Sequence, residues 1–372
     1  MKVLIVDNTE LIAKDNDFCL ESRAAEFKLE LKNYGNTVAV FGQKLKPRED
    51  SVHVFGLQAH GIEVKGLWRK KNKMLNYLAL YTYAFFQIPN FDFVYIFYSG
   101  SFRYFAYFCK FLNIPFGIYI RGIDDLDDRV SKSIYKKASI IYTVSDLFTN
   151  NVNTYLGIKK AKTIRPMIPY SEHDIVENRE YNEKNTYKII YFGRLAAEKG
   201  VKELLVAVKM LSEIRTNFVV DIVGNGEYFE ETKQLIEELS LSKIVALKGP
   251  EYDIDKIKEI YLEADIFVLP TYYEGFPRTI YEAMIFGTPV ITTMVGGIPQ
   301  LMKDKVNCLE IKVQSVESIV EVVNTVLNNY SLVKPIAQNS TQTIKTLLTT
   351  RNKSHALDLH TDLQTLIDKK RR

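Results

Sequence analysis

Residues 266 to 292 read Ile266-Phe-Val-Leu269-Pro270-Thr-Tyr-Tyr-Glu274-Gly275-Phe276-Pro277-Arg278-Thr-Ile-Tyr-Glu282-Ala283-Met284-Ile-Phe-Gly287-Thr-Pro289-Val290-Ile-Thr292. An unbroken apolar run, Ile266 to Leu269, has the form of a strand buried on both faces. It delivers the chain to a loop holding Glu274 and Gly275, and a helix opens near Pro277, whose fixed φ suits a first helical turn. A second apolar run, Val290 to Thr292, follows. Strand, helix, strand in this span is the unit of a parallel α/β sheet.

The same alternation extends in both directions. Upstream, Lys188 to Phe192, Phe218 to Val223 and Ile244 to Leu247 read as strands, and Cys308 to Ile311 reads as one downstream. The front of the chain repeats the pattern with Val3 to Val6, Thr37 to Phe41, Phe93 to Phe97, Phe116 to Ile120 and Ser139 to Thr143. Its first helix carries Leu20, Ala24, Phe27 and Leu31 on one face, with Gly35 where a helix C-cap belongs. The alternation pauses over Thr163 to Asn185, where Pro166 and Pro169 precede a charged stretch without periodicity, which reads as a linker. The expected architecture is two doubly wound Rossmann-like domains, residues 1–168 and 169–350. A C-terminal helix over 351–372 carries Leu357, Leu363, Leu366 and Ile367 at near-helical spacing. Such domains facing each other leave a cleft, and ligands bind outside the carboxyl ends of the strands.

Of the 372 residues, 47% are hydrophobic, 12% aromatic and 25% charged, which excludes a disordered or collagen-like chain. The net charge of +4 conceals an asymmetry: +8 over residues 1–165 and −4 over the rest. A basic half suits an anionic partner, and no nucleic-acid recognition motif accompanies it. Three cysteines, Cys19, Cys109 and Cys308, stand far apart without metal-ligand spacing. They suggest a reducing compartment. The N-terminal residues run straight into a strand pattern, so no signal peptide is expected, and Met74 to Ile88 is too short to span a bilayer. A cytoplasmic location is expected, with attachment to the inner face of the cell membrane as an option.

Three segments carry candidate chemistry. In the first, Glu274 lies at the sheet's carboxyl edge and Glu282 lies one to two turns inside the following helix. Carboxylates there can accept hydrogen bonds from pairs of sugar hydroxyls. In the second, Ile189-Ile-Tyr-Phe192-Gly193-Arg194-Leu195-Ala-Ala-Glu198-Lys199-Gly200-Val201, a strand ends in a turn with Arg194 and Lys199 five residues apart. Two cations at a strand's carboxyl end beside a helix N-terminus suit a diphosphate without a metal. The third, Val223-Gly224-Asn225-Gly226, has a Gly-x-Gly turn but lacks the third glycine and the acidic residue of a dinucleotide fingerprint.

Glu274 and Glu282 separated by seven residues, with Gly275, Phe276, Pro277 and Glu282-Ala283-Met284, resemble the family 4 retaining glycosyltransferases, which have the GT-B architecture and use nucleotide-sugar donors. The resemblance implies transfer from a UDP- or GDP-sugar to a glycan or lipid-linked acceptor, with retention of anomeric configuration and without a metal or cofactor. By that resemblance Arg194 and Lys199 are the donor-phosphate pair, Glu274 holds the sugar and Glu282 the ribose. Gly193, Gly224, Gly249, Gly275, Phe276 and Pro277 then line the donor site. The front half departs from the family. Asp7-Asn8-Thr9-Glu10 replaces a glycine-rich turn, and Arg121-Gly122-Ile123-Asp124 stands where a histidine is common. Asn8, Thr9, Arg121 and Asp124 are the candidate contacts from that domain. The run Asp124 to Asp128 reads as acidic capping of a helix start. A nucleotide-sugar epimerase and a non-catalytic nucleotide-sugar or glycan-binding protein are the alternatives.

One further stretch, Trp68-Arg69-Lys70-Lys71-Asn72-Lys73 followed by Met74 to Ile88, joins four cations to the single tryptophan and a tyrosine-rich apolar segment. That composition fits a helix on an anionic membrane surface, and equally a core helix with a basic exposed end.

Overall fold

The computed structural model describes residues 1–7, 9–47, 53–98, 100–121, 128–165, 167–275 and 277–371. The chain forms two compact units: residues 1–167 with 353–372, and residues 168–352.

In the first unit the elements run β1 (Lys2–Val6), β2 (Leu11–Lys14), β3 (Asp17–Glu21), α1 (Ser22–Asn33), β4 (Thr37–Phe41), β5 (Lys44–Leu45), β6 (His53–Gly56) and β7 (Glu63–Lys65). They continue as α2 (Lys73–Gln87), β8 (Phe93–Tyr98), α3 (Phe105–Phe111), β9 (Phe116–Ile120), α4 (Arg129–Lys137), β10 (Ile140–Thr143), α5 (Asp146–Leu156) and β11 (Ala161–Thr163). Seven strands form a parallel sheet in the order β11-β10-β9-β8-β1-β4-β7. Its central strands are buried along their length because helices cover both faces, which is why they are written as continuous apolar runs.

A second, four-stranded sheet, β5-β2-β3-β6, is absent from the sequence reading. Its hairpin turns at Asp15 and Asn16, both with positive φ (47° and 63°), the conformation that a two-residue hairpin turn demands. Leu20 therefore lies in strand β3, not on the first helix, which begins at Ser22. Gly35 does end that helix region, with φ +86° and its N–H donated to Lys32.

The second unit runs β12 (Tyr187–Phe192), α6 (Val201–Ile214), β13 (Phe218–Val223), α7 (Phe229–Glu238), β14 (Val245–Gly249), α8 (Ile254–Glu263), β15 (Ile266–Leu269) and α9 (Arg278–Ile285). It ends with β16 (Val290–Thr292), β17 (Leu309–Glu310), α10 (Val316–Asn328) and α11 (Val333–Thr350). All six strands are parallel, in the order β14-β13-β12-β15-β16-β17. The strand order reverses between β12 and β15. At such a switch point neighbouring strands send their helices to opposite faces and leave a crevice at their carboxyl ends.

The stretch expected to be a linker is largely built into this unit. Ile168, Tyr170 and Tyr181 are buried in its core. The Arg179 guanidinium donates to the carbonyls of Tyr261 (2.9 Å), Phe286 (3.0 Å) and Ala264, and to Thr288 Oγ1 (3.0 Å). It thereby satisfies carbonyls left open at the C-terminal ends of α8 and α9. A polar, aperiodic sequence hides such a strap, because its partners lie 82 to 109 residues downstream.

The final helix, α12 (His355–Arg371), belongs to the first unit. Its buried stripe is His355, Ala356, Leu359 and Leu363, with Leu366 packed against the same core. Leu357, expected on that stripe, is only partly buried. Polar contacts anchor the helix: Tyr142 donates to Asp362 at 2.6 Å, Lys162 pairs with Asp362 at 2.7 Å, and Tyr95 Oη lies 2.6 Å from His355 Nε2.

Candidate active site

The residues singled out in the second unit converge at its switch point. Arg194 and Lys199 lie on the segment between β12 and α6, and Glu274 lies on the loop after β15. Lys199 Nζ is 2.5 Å from Glu274 Oε1, and both side chains are mostly buried. Arg194 is more than half exposed; it pairs with Glu198 and lies 3.5 Å from Glu227. Glu198 is readable in the sequence as an i, i+4 partner of Arg194. Glu227, from the turn after β13, is not.

The two loops are fastened by backbone and hydroxyl contacts. Tyr272 N–H donates to the Glu198 carbonyl at 2.7 Å, and Thr271 Oγ1 donates to the same carbonyl at 3.1 Å. Thr293, just beyond β16, donates to the Thr271 carbonyl at 2.5 Å. Beneath Arg194, Tyr191 donates to its carbonyl at 2.8 Å. Burial first, then the neighbouring carboxylates of Glu274 and Glu198, pushes the Tyr191 phenol well above its ordinary range, so it stays a donor.

Glycines let these loops approach. A Cβ on Gly224, whose φ is +148°, would lie 1.8 Å from the Gly193 carbonyl oxygen. On Gly296, at φ +57°, it would lie 1.7 Å from the Glu274 carbonyl oxygen. No side chain fits in either gap, so both positions hold neighbouring loops in register at the site. Gly249 has φ +74° and nothing within 4 Å, and its carbonyl accepts from Gly224 N–H at 2.8 Å. Gly275 is partly buried. Pro277 stands one residue before α9, at the N-cap with an extended ψ of 127°, rather than inside the first turn. Phe276 lies outside the described residues.

Glu282 is only 1% exposed, and its carboxylate accepts from the buried Tyr261 hydroxyl at 3.2 Å. Tyr261, which stacks on Phe192 with centroids 5.7 Å apart, is a residue of this region that sequence reading missed. So is Arg179, which braces the ends of α8 and α9.

In the first unit, Asp7 at the end of β1 forms a buried ion pair with Lys28 of α1 at 2.9 Å. Burial raises the Asp7 carboxyl, but the charges of Lys28 and Arg121 outweigh it and hold the group below its ordinary value. Thr9 N–H donates to Asp7 Oδ1 at 3.2 Å. Arg121, exposed beyond β9, lies over the Phe97 ring at 5.3 Å. The candidates Asn8 and Asp124, with Pro166 and the rest of the acidic run to Asp127, lie outside the described residues. Asp128 caps α4, accepting from Val130 N–H (2.8 Å) and Ser131 N–H (3.1 Å). Among the described residues, no group of three or more His, Cys, Asp or Glu side chains is placed to hold a metal ion. Nor is any helix among them long and apolar enough to cross a membrane.

Residues 174–343 match the family described as glycosyl transferases group 1. An uncharacterised glycosyltransferase of Methanocaldococcus jannaschii is 29% identical over 221 residues, 56% of this chain and 55% of that protein. The mannosylfructose-phosphate synthase of Agrobacterium fabrum is 34% identical over 118 residues, 30% of this chain and 26% of that one. The chain thus spans about half or less of the length of these curated relatives. Among solved structures, Anabaena HepE in complex with UDP-glucose superimposes with a TM-score of 0.70 over 99% of this chain and 100% of its own, at 18% identity. Sucrose-phosphate synthase from Thermosynechococcus elongatus does so with a TM-score of 0.70 over 99% of each chain, at 15% identity. The fold is GT-B, and over residues 174–343 the sequence is similar to the glycosyl transferases group 1.

Proposed function

We propose that the protein is a glycosyltransferase that moves a sugar from a UDP- or GDP-sugar to a glycan or lipid-linked acceptor, with retention of configuration and without a metal. The observation that carries this reading is the pairing of Lys199 with Glu274 across the switch point of the second unit's sheet, with Arg194 on the same segment as Lys199 and paired with Glu198. In the transfer, the bond between the anomeric carbon and the phosphate oxygen breaks and a bond to the acceptor hydroxyl oxygen forms. The hydroxyl proton leaves to the departing phosphate. Negative charge grows on the diphosphate, and fixed cations lower the barrier where that charge develops.

Lys199 and Arg194 supply those cations. In the unliganded chain their charges are met by Glu274, Glu198 and Glu227. A bound diphosphate takes over as the partner of both cations, which frees the Glu274 carboxylate to accept from sugar hydroxyls. Glu282, held by Tyr261, serves the ribose hydroxyls. The names of the relatives and the UDP-glucose bound to HepE support a nucleotide-sugar donor. Assembly of envelope glycans at the inner membrane face is the setting we assign, since it joins such donors to lipid-linked acceptors.

The test is release of nucleoside diphosphate from a panel of nucleotide sugars, with candidate acceptors and with a chelator. Arg194→Ala and Lys199→Ala should each lower kcat by about 10²–10³-fold, the range for losing one donor to a developing oxyanion. Arg194 is exposed, so its variant should melt like the parent. Product that forms only with an acceptor and keeps the donor's anomeric configuration by NMR supports the reading. Interconversion of the donor without any acceptor would favour the epimerase, and loss of turnover on chelation would remove the metal-free mechanism.

A further inference from the structure

Helix α2 is apolar on two sides. Asn76, Leu80 and Ala84 form its buried stripe, so the segment is a core helix. Its opposite side nevertheless exposes Met74 (76%), Leu78 (62%) and Phe86 (67%). Phe111 at the end of α3 is 78% exposed and joins the same patch, because Phe85 lies 6.0 Å from Phe111 and 5.7 Å from Phe86 between ring centroids. Four large, exposed apolar side chains on adjoining helices form a patch of the kind that marks an interaction surface.

Its charge says what that surface meets. No Asp or Glu occurs between Glu63 and Asp92, nor between Asp92 and Asp124. Lys70, Lys71 and Lys73 stand exposed at the start of α2 and Lys110 on α3, and none makes a salt bridge among the described residues. Cations at a helix N-terminus oppose its dipole, so Lys70, Lys71 and Lys73 do not serve α2 itself, while Lys110 stands in the last turn of α3. Trp68 and Arg69 are committed elsewhere: Trp68 packs on Phe18 with centroids 5.6 Å apart, and Arg69 lies 3.6 Å from Glu10.

We propose that this face of α2 and α3 docks on an anionic lipid bilayer. The helix, about 22 Å long at 1.5 Å per residue, lies flat. Met74, Leu78, Phe86 and Phe111 enter the acyl boundary while Lys70, Lys71, Lys73 and Lys110 reach the headgroups, a division that long cationic side chains accommodate. The inference goes beyond the donor reading and does not depend on it.

The test is flotation of the full chain with vesicles of phosphatidylcholine alone or mixed with phosphatidylglycerol. Binding is expected only with the anionic lipid, and weaker at high salt. Two variants probe the face independently: Leu78→Ser/Phe86→Ser/Phe111→Ser, and Lys70→Glu/Lys71→Glu/Lys73→Glu. Each should lower partitioning by roughly tenfold or more, with the melting temperature unchanged because the altered side chains are exposed. Absence of flotation by the parent chain overturns the proposal, as does undiminished flotation of folded variants. If the parent instead forms a concentration-dependent dimer that the serine variant dissociates, the face belongs to a second copy of the chain and the lipid assignment is wrong.

Discussion

Lys199 and Glu274 are 75 residues apart in sequence and 2.5 Å apart in space. Either alone would pass for a solvated surface charge; what distinguishes them is that each stands at the carboxyl end of a strand flanking the switch point. Glu282 differs, being buried within a helix with Tyr261 as a donor. Glu282→Gln keeps an acceptor for that hydroxyl, so stability should change little, while affinity for the nucleotide should fall about tenfold, the equivalent of one good hydrogen bond to a charged group. Tyr261→Phe should do the reverse, costing about 1–3 kcal/mol of stability by removing a hydroxyl that lies 3.2 Å from both the Glu282 carboxylate and the Thr279 carbonyl. Thermal melts alongside nucleotide titration separate the two. The placement of Arg194, Lys199 and Glu274 after β12 and β15, and of Glu282 inside the next helix, was legible because apolar runs mark the strands that precede them. Lys28 and Arg179 were not, since lysine and arginine are ordinarily exposed and their partners, Asp7 and the carbonyls of α8 and α9, lie on other elements.

At the scale of elements, strands buried on both faces declare themselves as apolar runs, and the main strands of both parallel sheets were readable for that reason. The hairpin of β2 and β3 escaped notice. Its strands hold four and five residues, and Leu20 also fits a helical spacing with Ala24, Phe27 and Leu31, although Asp15-Asn16 was a turn signal. The loops between elements depend on glycine. Gly296→Ala would set a methyl group against the Glu274 backbone and should cost about 1–3 kcal/mol and most of the turnover. Gly157→Ala, also at positive φ but in open space at the end of α5, should cost about 1–2 kcal/mol and leave turnover intact. A comparable loss of turnover in both would show that backbone strain, not the approach of Gly296 to Glu274, governs the site.

Helix α12 introduces a pH dependence. His355 is buried, with no partner for Nδ1 among the described residues, and burial, then the charges of Arg121 and Lys28, holds its pKa well below 6.5. The unfolded chain takes up a proton near 6.5 while the folded chain does not, so acid favours unfolding. Stability from this group is complete above that value and is lost as pH falls below it, by up to about 1.4 kcal/mol per pH unit. Asp7, held below 3.8, acts in the same direction but only in a more acid window. Melting temperatures of the parent should therefore decline from pH 7 to pH 5, and His355→Leu should flatten that decline.

For the whole molecule, the GT-B fold supplies a scaffold that hosts many transfer reactions, so the activity must be argued from the site. The donor site we propose lies on the second unit, where the sequence match is also found. The first unit shares the GT-B fold, and its cations Lys70, Lys71 and Lys73 gather at the start of α2. The measurement that tests the central claim most directly is calorimetric titration of the chain with UDP, GDP and their sugar conjugates, with and without a chelator, for the parent and Arg194→Ala. We predict saturable binding of one nucleotide series that survives chelation and weakens in the variant. Absence of binding by every nucleotide, or binding that Arg194→Ala leaves unchanged, would contradict the assignment of the donor site.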